Sequence, residues 1–104
     1  MNKIYLVDRY LMDRFNSIPL ESIHIGICES MTGAENLALG YIYRDIKSFN
    51  LDPFILKDGD EADTYRTFKY DNGRVMIEIV ERTVFSKDDE IFKYIETLPT
   101  FKSQ

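Results

Sequence analysis

The sequence has one cysteine, one histidine, no tryptophan and more acid than base, 18 Asp and Glu against 13 Lys and Arg. Each shortage removes a class of explanation. Cys28 alone forms no internal disulfide, so the core must hold the fold and a reducing, cytoplasmic setting is expected. Cys28 and His24 together fall short of a zinc ligand set. A net charge of -5 argues against direct binding to nucleic acid, which needs clustered Lys and Arg to release counterions from the backbone. No apolar run approaches the thickness of a bilayer, and Asp8 and Arg9 interrupt the N-terminal hydrophobic stretch, so neither a membrane span nor a signal peptide is expected.

What is present suits a single α+β domain over residues 1–104. The chain is 44% hydrophobic, enough for a core without a staple, and it has no low-complexity run that predicts disorder. Ile23, Ile25 and Ile27 alternate with His24, Gly26 and Cys28, a period of two that places the isoleucines on the buried face of a strand. The period then changes. Thr32 and Glu35 have capping-box spacing, which starts a helix near Gly33. Ala34, Leu37, Ala38, Tyr41, Ile42, Ile46 and Phe49 form its apolar stripe, and Asn50 ahead of Pro53 ends it.

Around this strand and helix the remaining segments fall into place. Residues 3–10 are rich in β-branched and aromatic side chains and predict a first strand, joined to the next through a loop over 11–20. Residues 54–56 fit a short strand or a plug, and 57–63 a polar turn. Asp71-Asn72-Gly73 between 64–70 and 74–85 is a hairpin signal. In its second arm Val75, Ile77 and Ile79 face the core, while Met76, Glu78, Val80 and Arg82 take the other face. A cap at Ser86 to Asp89 introduces a short helix carrying Ile91, Phe92, Tyr94, Ile95 and Leu98, which Pro99 stops, leaving 99–104 as a loose tail. The expected architecture is an antiparallel sheet of four to five strands with two helices on one face, in the order ββα-ββα.

No catalytic residue, metal site or cofactor is assigned. His24 and Cys28 invite a nucleophile–base reading, but four residues of strand separate them by ~13 Å, even with both side chains on one face. Asp58, Asp60, Glu61 and Asp63 concentrate acid in one turn, with Asp71 near it if the hairpin folds back. They do not match a calcium loop, since glycine stands at position 59 and no glutamate closes the pattern. A solvated turn is the plain reading; the functional one is an acidic surface that attracts a basic protein. Leu39 and Tyr43, one turn apart beside the main helix stripe, and Met76 and Val80, on the outer strand face, are the apolar candidates for a partner contact.

Glu29-Ser30-Met31-Thr32-Gly33-Ala34 resembles a segment of the nicotinamide-nucleotide deamidase family, but it lacks that segment's cysteine and second glycine, so no activity is carried over. The strand at 3–10, followed by the strand and alanine-containing helix over 23–42, resembles small proteins of bacteriophages and mobile elements. That resemblance implies an inhibitor of the anti-restriction or anti-CRISPR kind, a protein-binding module occupying a basic nucleic-acid-handling enzyme of the host. The alternatives are an assembly protein that forms a homodimer through the Met76–Val80 face or a free strand edge, or a metal- or ligand-dependent protein using carboxylates alone.

Overall fold

A computed structural model describes residues 2–13, 15, 18–85 and 88–98. Among these residues five strands and two helices follow one another as β1 (Asn2–Met12), β2 (Pro19–Cys28), α1 (Met31–Phe49), β3 (Leu56–Gly59), β4 (Tyr65–Tyr70), β5 (Val75–Val84) and α2 (Asp88–Thr97). The fold is α+β. All pairings are antiparallel, and the strands lie side by side as β2-β1-β5-β4-β3. The second half of the chain carries three strands, because β3 forms where the sequence reads as a polar turn and pairs with β4 from Leu56↔Lys69 to Gly59↔Arg66.

Pleating fixes which residues meet the helix. Val7, Ile79, Ile77 and Phe68 are cross-strand neighbours, and they pack with Ala34, Ala38 and Ile42 of α1 in the core. Val75 and Tyr70 extend that layer. Two alanines on the buried helix stripe bring the helix axis close to the sheet, and Gly26 of β2 does the same from the other side. A Cβ there would lie 2.9 Å from Leu37 Cδ2.

Two local expectations are corrected. Helix α1 starts two residues early because Ser30, not Thr32, is its cap: the Gly33 amide donates to Ser30 Oγ at 3.0 Å. Glu35 is thereby released from capping. Strand β2 does not keep its isoleucines on one face, because a bulge interrupts its register with β1 between Val7↔Gly26 and Asp8↔His24. The extra residue, Ile25, packs against the core, whereas Ile23 and Ile27 are 47% and 58% exposed. Gly26 and Cys28 fall on the core side and His24 on the outer one, so His24 and Cys28 point to opposite faces.

Helix termini and turns otherwise follow their residues. Asn50 closes α1 in the left-handed region with φ 51, and its amide donates to the Ile46 carbonyl. Asp71, Asn72 and Gly73 all take positive φ in the turn between Tyr70 and Val75. Helix α1 lies against β1, β2 and β5. In α2 the Tyr94 ring packs on Phe85 with centroids 5.0 Å apart, while Ile91, Ile95 and Leu98 are exposed. The expected cap at Ser86, the Phe92 side chain and the tail 99–104 lie outside the described residues.

Candidate partner-binding surface

With α1 on one face of the sheet, the other face carries the alternate residue of every strand. Across it run Leu6↔Val80, Asp8↔Glu78 and Tyr10↔Met76 between β1 and β5, Tyr65↔Val80 from β4, and Leu6↔Ile27 and Asp8↔His24 from β2. A polar row centred on Asp8 and Glu78 therefore crosses the sheet from His24 to Thr67 and Asp58, with Ile27, Leu6, Val80 and Tyr65 on one side of it and Tyr10 and Met76 on the other. That centre contains a conflict, since two carboxylates, Asp8 and Glu78, stand directly opposite one another, an arrangement that disfavours the sheet.

Neighbours divide the load. His24 Nδ1 lies 2.7 Å from Asp8 Oδ1, and because a carboxylate only accepts, that nitrogen carries the hydrogen. Glu78 accepts from both tyrosines, Tyr10 at 3.4 Å and Tyr65 at 3.1 Å. Burial, with the Glu78 charge added to it, pushes both phenols above their ordinary pKa. An imidazole oriented by a carboxylate also supplies two of the three members of a catalytic triad. Cys28, the nucleophile that sequence alone would pair with it, faces the core on the opposite side of the strand.

The four acids of the turn have separate tasks. Asp60 anchors the β3–β4 connection: its carboxylate accepts from the Thr64 amide at 2.9 Å, the Tyr65 amide at 3.1 Å and the Thr64 hydroxyl. These bonds, the Thr64 hydroxyl foremost, hold its pKa below the usual carboxylate value. Asp63 takes the Arg66 guanidinium, which reaches Glu35 at 2.8 Å on its other side. Burial alone would raise the Glu35 carboxyl, but Arg66 and Lys57 outweigh it and hold it low. Asp58 caps its own neighbour, accepting from the Gly59 amide at 2.8 Å, and its register opposite Thr67 places it on the outer face. Glu61 is exposed.

The candidate residues thus divide by location. Asp58, Met76 and Val80 share the outer face, whereas Asp60, Glu61 and Asp63 occupy the β3–β4 turn. Asp71 sits at the opposite end of β4 from that turn and does not join it. On α1, Leu39 packs against the core, while Tyr43 is 58% exposed. Sequence reasoning missed Asp8, Tyr10 and Tyr65, and weighed His24 only as a base for Cys28. Their common signal, polar or aromatic residues on the same strand face as Met76 and Val80, becomes visible only once β1 is known to lie beside β5.

Among the described residues no three His, Cys, Asp or Glu side chains are grouped to hold a metal ion, and no helix is long and apolar enough to cross a membrane. No family model, curated protein or solved structure matches the chain.

Proposed function

We propose that this chain is a protein-binding module that acts by occupying its partner with the outer face of the sheet. The observation that supports this reading is the composition of that face: Leu6, Ile27, Val80 and Tyr65 around Asp8, His24 and Glu78, with the helix α1 on the other side. Tyrosine and methionine on an uncovered sheet face are residue types enriched in interfaces. The face carries Asp8, Glu78 and Asp58 with Lys69 and Arg82, so the support for a partner with a basic surface comes from the net charge of -5 of the chain. A nucleic-acid-handling enzyme inhibited by a phage-type protein is the partner class consistent with this charge. In the cytoplasm such an inhibitor would work by blocking access, without chemistry of its own.

The test is retention of partners from a host extract by the immobilised chain. Ile27→Lys with Val80→Lys should abolish retention while the far-ultraviolet spectrum is unchanged, and retention should weaken as salt rises. Tyr43→Lys, on the helix side, should leave it intact. Equal retention by all three proteins would refute the reading.

A further inference from the structure

The two edges of the sheet are built differently. Strand β3 is four residues long and includes Lys57 and Asp58, features that discourage pairing with another chain. Strand β2 is ten residues long, and its sequence Pro19-Leu-Glu-Ser-Ile-His-Ile-Gly-Ile-Cys28 has one carboxylate and no Lys or Arg. Ile23 and Ile27 are exposed on it, on opposite faces. A strand of this kind is an open template for another strand.

A second feature lies beside the same edge. Asn36, Leu37, Gly40, Tyr41 and Arg44 line a shallow groove along α1. Leu37 reaches Gly26 of β2, and Tyr41 lies under the Arg9 guanidinium, 5.9 Å from the ring centre, with Arg9 paired to Ile23. The groove therefore runs above β2, and its middle is level with Ile23. Gly40 is mid-helix, where glycine is the poorest residue after proline, yet a Cβ there would meet nothing within 4 Å. Among the described residues nothing requires the glycine.

We propose that β2 pairs antiparallel with β2 of a second copy, about a two-fold axis near Ser22 and Ile23, and that the two α1 helices meet at Gly40. Symmetry ties the two contacts together. Antiparallel neighbours keep their faces only if the axis is perpendicular to the sheet, so both α1 helices come to the same side and present the same groove to each other. The regular part of β2, between the irregularities near Ile25 and Leu20, runs through this axis. Charge agrees as well. Self-pairing sets each charge near its own kind, and in a chain of net charge -5 this edge is nearly free of acid. An edge ~30 Å long and ~20 Å deep, strand plus helix, gives roughly 600 Å² per partner, near the lower end for specific interfaces. The dimer should accordingly dissociate on dilution.

This inference is independent of the reading of the outer face, and sedimentation of the full chain over a dilution series tests it. The expected result is a monomer–dimer equilibrium. Ile23→Lys should weaken it about tenfold or more. Gly40→Glu should act in two opposite directions, raising the thermal midpoint of the monomer through better helix propensity while abolishing the dimer by setting two carboxylates together. Leu56→Lys, on the β3 edge, should change nothing. A wild-type monomer at the highest concentration, or a dimer insensitive to both Ile23→Lys and Gly40→Glu, would overturn the proposal. If Ile23→Lys does not fold, amide exchange of the wild type decides: β2 amides must gain protection as concentration rises, and no gain refutes the pairing.

Discussion

Replacing Tyr70 with Phe should produce the largest stability loss from removal of a single atom. Tyr70 is 1% exposed and its hydroxyl donates to Asp45 Oδ2 at 2.6 Å. Asp45 is itself 5% exposed, and its other partner is Arg9, whose Nε lies 3.5 Å from the same oxygen with no hydrogen bond of its own. Tyr70 therefore supplies the short bond to a buried charge. Its pKa is pushed far up, first by burial and then by the Asp45 carboxylate. A hydrogen bond to a charged group contributes about 1.5–3 kcal/mol. With a urea m-value of roughly 1.5 kcal/mol/M, a loss of about 2 kcal/mol moves the unfolding midpoint down by roughly 1.3 M. Asp45→Ala should cost more, about 3–5 kcal/mol, because it strands the Arg9 guanidinium beneath α1. Both changes break one bond, so the double variant must lose less than the two single losses combined. A midpoint shift under about 0.3 M for Tyr70→Phe, with the m-value unchanged, would show that water replaces the hydroxyl and that Tyr70, Asp45 and Arg9 are not desolvated together.

The other predictions concern caps and titration. Ser30→Ala should destabilise by about 1 kcal/mol and Thr32→Ala by much less, since only Ser30 accepts the Gly33 amide; equal losses by urea unfolding would restore Thr32 as the cap. On the alkaline side Tyr5, Tyr10, Tyr65 and Tyr70 all have raised pKa values, from burial first and a neighbouring carboxylate second. The folded state holds these protons more tightly, so their contribution is complete below the ordinary value of 10.0 and is lost as pH rises beyond it. Absorbance titration should show these phenols ionising late, together with unfolding. On the acid side Glu35 is depressed below its ordinary 4.5, so its contribution is complete above that value and disappears as pH falls through the lower, folded one. Glu35→Gln should flatten the stability profile in that window, and an unchanged slope would exclude the Arg66 and Lys57 pairing as its source.

The parts of this fold legible in the sequence are those governed by neighbours along the chain. The Asp71-Asn72-Gly73 turn, the alternation of Val75, Ile77 and Ile79, and the Asn50 cap each depend on a few consecutive residues, and each is found as expected. Where the reading failed, a partner distant in sequence had decided the outcome. Thr32 and Glu35 have the spacing of a box, but Arg66, 31 residues away, claims Glu35, and Ser30 is left to cap. The isoleucines of β2 alternate without a break, yet one bulge against β1 puts Ile27 on the outer face beside His24. No local pattern marks that bulge. Its effect is nonetheless what builds the candidate surface: without the extra residue Ile27 and His24 would lie on opposite faces, and the outer face would lose either Ile27 beside Leu6 or the His24 partner of Asp8. A register irregularity that conflicts with the strand's own hydrophobic pattern stands at the point where it brings Ile27 and His24 onto one face, so the departure from local rules and the candidate site share one cause.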